Sequence, residues 1–171
     1  LDAAARTAAL VFLPFVMDAK DMSAAQISGL LFLLFAGGAA GKFVCGWLGD
    51  RFNTVSIIWG TKGLTALMLV LSLVTPPLAM APLMVLTGIG LNGTSSALYA
   101  TVAEFVPATR RARFYGFYYT TNEIGTVVAP LIYGLVADIF SLNTTMIVMG
   151  IATAAILPAS LTLRKHLDPS P

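Results

Sequence analysis

The feature that most constrains the fold is a succession of six apolar stretches separated by short polar segments. An α-helix needs roughly 20 apolar residues to cross a bilayer, and each stretch is about that long. Lipid offers no hydrogen-bond partners, so a spanning backbone must satisfy its own polar groups as a helix. The sequence therefore predicts six transmembrane helices, over residues 1–17, 24–49, 55–75, 79–103, 112–137 and 144–163.

The composition agrees with a chain that faces lipid. Hydrophobic residues make up 57% of the 171 residues and charged residues 11%, whereas a soluble domain carries about a quarter charged residues. The basic residues are scattered, so there is no basic stripe of the kind that binds nucleic acid. A single cysteine, Cys45, and a single histidine, His166, exclude an internal disulfide and argue against a metal site, so we expect no cofactor. Because the chain begins at Leu1 in an apolar stretch, we expect a fragment of a longer protein.

The loops on the two sides of the predicted bundle differ in charge. One side has a single basic residue, Lys20. Basic residues accumulate in cytoplasmic loops, so the other side is expected to face the cytoplasm. An even number of spans then places both termini in the cytoplasm, in a cell (inner) membrane. The loop and terminal residues that carry this argument are Arg51, Arg110, Arg111, Arg113, Arg164 and Lys165.

Local signals indicate where helices begin, end and pack. Ser23 with Gln26 three residues later is a capping box, which predicts the start of the second span. The segment 75–77, Thr-Pro-Pro, predicts the end of the third span. Gly37-x-x-x-Gly41 predicts close packing of the second span on another helix.

A short pattern recurs at the ends of the second and fifth spans. Gly46 to Asp50 and Gly134 to Asp138 both read G-x-x-x-D. The two spans run in opposite directions, so residues 1–76 and 77–171 would form two inverted three-helix repeats, an arrangement found in transporters. A chance match in a glycine- and leucine-rich sequence is the alternative.

The turn after the second span carries a family resemblance. Gly46-Trp47-Leu48-Gly49-Asp50-Arg51-Phe52-Asn53 resembles the cytoplasmic loop motif between the eighth and ninth of the twelve helices of major facilitator superfamily transporters. Asn53 replaces a glycine of that motif, and we expect it to tolerate the left-handed backbone region. Glu104-x-x-Pro107-x-x-Arg110 resembles the family's turn between the tenth and eleventh helices. The whole chain, 1–171, therefore resembles the C-terminal six-helix half of such a transporter.

A narrower resemblance concerns the subfamily. Residues 12–15, 35–43 and 91–96 are similar to fosmidomycin-resistance-type exporters. The resemblance implies an all-α membrane protein that lacks its N-terminal half, with the first and fourth spans lining a cavity. The second and fifth spans would face the missing half, and the third and sixth would be peripheral.

The function that this resemblance implies is proton-coupled export of a small organic compound or drug, by alternating access to a site near the middle of the membrane. The partners would be the lipid bilayer, the N-terminal half, the substrate and protons, with no nucleic acid. An uptake carrier for an organic anion and a non-transporting membrane subunit are the alternatives. An enzyme is disfavoured, because the sequence has no intramembrane histidine, no H-E-x-x-H and no G-x-S-x-G.

Arg6 and Glu123 are the leading site candidates, because each is a charged residue deep inside a predicted span. Arg6 lies roughly 16 Å from the end of the first span, near the middle of the membrane. A guanidinium there is costly unless it is paired or hydrated, so we expect it to bind the substrate or a coupling carboxylate. Asp2, four residues earlier, is a candidate ion-pair partner and proton-coupling group. Snorkelling of Arg6 to the surface is the alternative.

Glu123 lies about 15 Å into the fifth span and is the main proton-coupling candidate. A structural hydrogen bond between helices is the alternative. Lys62, similarly deep in the third span, is expected to form an ion pair inside the bundle.

The fourth span carries a stripe of small and polar residues at helical spacing. On a membrane helix, such a stripe faces water or protein. Asn92, Ser96 and Tyr99 are the predicted substrate contacts, with interhelical hydrogen bonding as the alternative. The full stripe is Gly88, Asn92, Ser95, Ser96 and Tyr99.

The cytoplasmic motifs are expected to act on conformation rather than on the substrate. By the family resemblance they would latch the two halves together in one state, with a solvated turn as the alternative. The predicted latch residues are Gly46, Asp50, Arg51, Glu104 and Arg110.

Overall fold

The computed structural model describes residues 2–49, 51–105, 110–158 and 160, without the side chains of residues 54 and 95–105. Within those residues the chain is all α-helical, with six helices and no strand. A 3₁₀ turn, Pro77–Ala79, separates the third helix from the fourth. The helices are α1 (Asp2–Asp18), α2 (Ala24–Gly49), α3 (Thr54–Val74), α4 (Met80–Phe105), α5 (Arg111–Ile139) and α6 (Leu142–Ala154).

Each predicted span corresponds to a helix, and α2 has the predicted bounds at both ends. The capping box that begins α2 is confirmed. The Ser23 N–H donates to Gln26 Oε1 at 2.9 Å, and the Gln26 N–H donates to Ser23 Oγ at 3.3 Å. These two bonds satisfy N–H groups that have no partner inside the first helical turn.

The closest packing in the molecule joins α2 to α4. The two helices run parallel, because Gly41 of α2 lies on Ile89 of α4 and Cys45 lies on Gly93. A methyl group at Gly41 would come within 2.7 Å of the Ile89 Cα, so only glycine fits. Gly37 and Gly88 are in equally close backbone contact with the facing helix. The predicted Gly37-x-x-x-Gly41 packing surface is therefore confirmed.

Helix α4 also packs against α3, on its other side. Thr61 of α3 and Thr94 of α4 form a buried hydrogen bond of 2.6 Å between their hydroxyl groups. A methyl group at Gly90 would lie 3.0 Å from the Thr61 carbonyl oxygen, so the backbones are close here too. Helix α4 is thus held between α2 and α3.

The remaining helices form a second set of contacts. Helix α1 packs mainly on α5, and α3 packs on α6. The apolar core lies between α1, α2, α3, α4 and α6, with Leu13, Leu69, Met84 and Met146 among its fully buried side chains. Ala129 is the one buried residue of α5 in the described part of the chain.

Large apolar side chains cover much of the outer surface. Phe43 on α2 is 81% exposed and Phe117 on α5 is 73% exposed. Among the described residues, four helical segments are long and apolar enough to cross a membrane: Ala24–Gly49, Val55–Val74, Pro77–Thr94 and Arg111–Ile139. An apolar surface of this extent faces lipid or another protein, so the chain is an all-α, multi-pass membrane protein.

The basic residues separate between the two ends of the bundle. Arg51, Arg110, Arg111 and Arg113 lie where α2 and α4 end and α3 and α5 begin. Lys20 lies at the opposite end, where its Nζ donates to the Leu73 and Thr75 carbonyl oxygens, both at 2.9 Å. This lysine binds the C-terminus of α3, where the helix dipole favours a positive charge.

Candidate functional site

The most buried charge in the described residues is Lys62, near the middle of α3. Its side chain is 0% exposed, and it forms an ion pair with Asp2 at the start of α1. The Asp2 side chain is 17% exposed. Lys62 Nζ has no hydrogen-bond partner beyond this pair among the described residues. The structure confirms the expected intrabundle ion pair of Lys62 and supplies the partner.

Arg6 lies one turn after Asp2 on α1 and is half-buried. The suggested Asp2–Arg6 ion pair is wrong, because Asp2 binds Lys62 instead. The physical reason is solvent access. The Lys62 side chain is completely buried and requires a carboxylate, whereas a half-buried guanidinium keeps part of its hydration. Arg6 forms neither a hydrogen bond nor an ion pair with any residue in the described part of the chain.

Two residues of α5, Tyr118 and Asn122, lie close to the charged residues Asp2 and Arg6. The Tyr118 side chain lies near the Asn122 side chain on the same helix and near Asp2 and Arg6 of α1. Helices α1 and α5 meet here, with Ala4 packed against Gly125. We call Asp2, Arg6, Lys62, Tyr118 and Asn122 the α1–α5 polar cluster. Its three charged members sum to one excess positive charge, which suits one monovalent anion.

Glu123 follows Asn122 on α5, but its side chain is exposed. Among the described residues it has no hydrogen-bond or ion-pair partner. A carboxylate inside a membrane-spanning helix faces a water-filled cavity or another protein surface. The position therefore suits a group that exchanges protons with water.

Some residues of the α4 stripe pack against α2, and one of them, Asn92, is also partly accessible. Gly88 is buried against the Leu34 carbonyl oxygen of α2. Asn92 packs on Gly38, and its Nδ2 donates to the Gly88 carbonyl oxygen at 3.4 Å. Asn92 is half-buried, so part of its side chain is accessible. The side chains of Ser95, Ser96 and Tyr99 lie outside the described residues.

The turn between α2 and α3 is compact. The N–H groups of Arg51 and Phe52 both donate to the Leu48 carbonyl oxygen, at 3.0 and 2.8 Å. The Arg51 guanidinium lies over the Trp47 ring, 4.4 Å from its centroid, in a cation–π contact. Asp50 lies outside the described residues.

Asn53 replaces the glycine of the motif without using the left-handed backbone region. Asn53 has φ −59° and ψ 141°, an extended rather than left-handed conformation. It is the residue before α3, and such residues adopt extended backbone so that the next residue begins the helix.

The remaining predicted latch residues are Gly46, Glu104 and Arg110. A methyl group at Gly46 would meet nothing within 4 Å. Arg110 is exposed just before α5. The Glu104 side chain lies outside the described residues.

The cavities between the described helices include two that lie away from Arg6, Asn92 and Glu123. One, of about 280 Å³, lies between α2, α3 and α4 near the α2–α3 turn and is lined by apolar side chains such as Leu48, Phe52 and Leu64. The other, of about 640 Å³, lies at the opposite end, near Gln26 and Pro77. No group of metal-binding side chains occurs among the described residues.

Comparisons with known proteins give a family and several relatives. A family model described as Major Facilitator Superfamily matches residues 1–171. The chain is 32% identical over 150 residues to the gentisate transporter of Corynebacterium glutamicum, covering 86% of this chain and 33% of that protein. It is 28% identical over 163 residues to the 4-hydroxybenzoate transporter of Acinetobacter baylyi, covering 92% of this chain and 35% of that protein.

A third relative is the 3-(3-hydroxy-phenyl)propionate transporter of Escherichia coli K12. The two are 25% identical over 150 residues, which cover 87% of this chain and 35% of that protein. The chain thus spans about a third of the length of the curated relatives it matches. No solved structure matches the chain significantly.

Proposed function

Because the chain belongs to the major facilitator superfamily, we propose that it is the C-terminal six-helix half of a secondary transporter for a small aromatic carboxylate. Family membership argues for a membrane transporter of a small molecule rather than an enzyme. The three relatives are named for gentisate, 4-hydroxybenzoate and 3-(3-hydroxy-phenyl)propionate. Each of these compounds combines an aromatic ring with a single carboxylate.

The observation that carries the proposal is an arginine without a carboxylate partner inside the membrane. Arg6 is half-buried on α1, and the nearest acid along its helix is bound to Lys62. A guanidinium binds a carboxylate through two parallel hydrogen bonds, so it can anchor and orient this substrate class. Tyr118 and Asn122 are placed to contact the hydroxyl groups or the ring. In this proposal Asn92, Ser96 and Tyr99 of α4 complete the substrate site.

Proton coupling is assigned to Glu123, with Asp2 as a second candidate. Glu123 is an accessible carboxylate of α5, and it lies next in sequence to a member of the polar cluster. A proton on Glu123 would offset the charge change when the anionic substrate is released. The transporter would then move an organic anion together with a proton.

The helix pairing supports the proposed inverted repeats of residues 1–76 and 77–171. In the proposed repeats, α1, α2 and α3 correspond to α4, α5 and α6. A contact of α2 with α4 in this arrangement corresponds to a contact of α5 with α1. Both contacts occur in the structure. Gly37 and Gly125 are 88 residues apart, the same offset as Gly46 and Gly134. Gly37 packs on α4 and Gly125 packs on α1, as the repeat requires.

The basic end of the bundle is proposed to face the cytoplasm, by the positive-inside rule. Gly46, Asp50, Arg51, Glu104 and Arg110 lie in or beside the turns at this end of the chain and would latch the N-terminal half in one state. Alternating access would then come from rocking of the two halves around the site.

Uptake of labelled acids tests the proposal. Cells that express the full-length transporter are given gentisate, 4-hydroxybenzoate or 3-(3-hydroxy-phenyl)propionate, with and without a protonophore. We expect accumulation of at least one acid, and its loss when the proton gradient is dissipated. If none of the three accumulates above the level of cells with an empty vector, the aromatic carboxylate assignment is wrong.

Proton-coupled drug export is the second candidate, and it rests on the similarity of residues 12–15, 35–43 and 91–96 to fosmidomycin-resistance-type exporters. The same cells distinguish the two functions. Export predicts growth in the presence of fosmidomycin and faster loss of the drug from preloaded cells. Uptake predicts neither of these results.

A further inference from the structure

The Asp2–Lys62 ion pair has a consequence for Arg6 that concerns the proposed substrate site. Asp2 and Arg6 are four residues apart on α1, a spacing at which oppositely charged side chains pair on a helix surface. In the structure the Asp2 carboxylate binds Lys62 of α3 instead, and Arg6 is without a carboxylate. The lysine is completely buried, so it competes strongly for that carboxylate.

We propose that Lys62 is a positioning residue that holds the Asp2 carboxylate away from Arg6 and so keeps the Arg6 guanidinium available for an anionic ligand. This inference rests on the proposed function for the identity of the ligand, a small aromatic carboxylate. The availability of Arg6 itself depends only on the geometry of the three residues. Without Lys62, Asp2 would bind Arg6 and occupy the site from within the chain.

Few charged or polar groups surround Asp2 and could pair with its carboxylate. Lys62 faces it from α3 and Tyr118 faces it from α5, with Arg6 on its own helix. Within the described side chains, α2, α4 and α6 bring no further charge into contact with Asp2. Removal of Lys62 therefore leaves Arg6 as the cation that Asp2 can reach.

Chemical modification of Arg6 tests this geometry independently of transport. Phenylglyoxal reacts with accessible guanidinium groups, and the extent at Arg6 can be read from the corresponding peptide by mass spectrometry. In the full-length protein we expect Lys62→Met to lower the reactivity of Arg6 about tenfold, the effect of an ion pair of about 1.4 kcal/mol. Lys62→Arg, which keeps the cation, should leave the reactivity of Arg6 close to that of the unmodified protein.

A double variant separates this role from a merely structural one. Loss of one member of a buried ion pair destabilises a fold, whereas neutralising both members is far better tolerated. In Asp2→Asn/Lys62→Met the competing carboxylate is absent, so Arg6 should regain its reactivity. Equal reactivity of Arg6 in the unmodified protein and in Lys62→Met would overturn the proposal, as would failure of the double variant to restore it.

Gentisate uptake gives a second readout. Lys62→Met should raise KM about tenfold with a smaller effect on kcat. Asp2→Asn/Lys62→Met lacks the competing carboxylate, so its KM should return toward that of the unmodified protein. Lys42→Met, which removes another lysine from a spanning helix, serves as the control and should leave KM unchanged. A fall in kcat with unchanged KM in Lys62→Met would contradict a positioning role.

Discussion

At the scale of single residues, charges inside the membrane decide which side chains are available for function. The pairing of Asp2 with Lys62 could not be predicted from the sequence, because 60 positions separate them and helical spacing favours the nearer Arg6. Depth along the third span was enough to predict that Lys62 needs a partner. The identity of that partner depends on how α1 packs against α3, which is a tertiary property.

The contacts by which Lys20 stabilises the fold could not be predicted from the sequence either. Its role as the only basic residue of its side was clear from sequence, but its contacts with Leu73 and Thr75 were not. Lys20→Met should lower stability by about 1–2 kcal/mol, because it removes two charge-assisted hydrogen bonds at the end of α3. The measurement is the melting temperature of the purified protein in detergent.

The control for Lys20 is Arg113→Met, which removes an exposed cation that has no partner in the described structure. It should change the melting temperature little. A similar loss of stability in both variants would show that Lys20 does not hold α3.

Glu123 is predicted to couple transport to protons. Glu123→Gln removes the carboxylate and should abolish accumulation of substrate against its gradient. Exchange of labelled for unlabelled substrate needs no net proton movement, so it should persist. Asp138→Asn, a second exposed carboxylate on the same helix, is the matched control and should accumulate substrate normally. Normal accumulation by Glu123→Gln would assign coupling to another residue.

At the scale of helices, apolar length and capping signals predicted much of the fold. The bounds of α2 were given by the Ser23 capping box and by the glycine before the turn. Which helices pair was not predictable from apolar pattern, since lipid-facing and helix-facing sides are both apolar here. The spacing of small residues was the sequence pattern that indicated helix packing, and Gly37-x-x-x-Gly41 correctly predicted a packing surface.

The close contact between α2 and α4 requires glycine at position 41, and this requirement can be tested. Gly41→Ala would place a methyl group 2.7 Å from the Ile89 Cα, and a backbone atom cannot move aside without separating the helices. We expect a loss of about 1–3 kcal/mol, typical of overpacking. Gly29→Ala, on the same helix with nothing within 4 Å, is the control and should be neutral or stabilising. Equal melting temperatures for the two variants would contradict the observed packing.

At the scale of the whole molecule, the charge asymmetry between the two ends predicts the orientation in the membrane. Phe52 and Leu78 are exposed at opposite ends, and the native Cys45 is buried. Phe52→Cys should react with a membrane-impermeant maleimide only after the cells are opened. Leu78→Cys should react in intact cells. The reverse pattern would place the basic end outside.

Exposure along α5 bears on how much of the candidate site the sequence could indicate. The Glu123 side chain is exposed, as are many others on this helix. Under the proposed function, this surface would face the N-terminal half of the transporter. The sequence could therefore indicate candidate site residues such as Arg6 and Asn92, whereas part of the wall of a shared site would come from the other half.

Transport by the purified full-length protein, in proteoliposomes with an imposed pH gradient, tests the proposed function and the role of Arg6 together. We predict that an inwardly directed proton gradient drives uptake of labelled gentisate or 4-hydroxybenzoate. Arg6→Ala should reduce kcat/KM by at least tenfold, as expected when about 1.4 kcal/mol of binding to the carboxylate is lost. The result that would contradict the account is uptake by Arg6→Ala with the same kcat/KM as the unmodified protein, or no gradient-driven uptake of either acid.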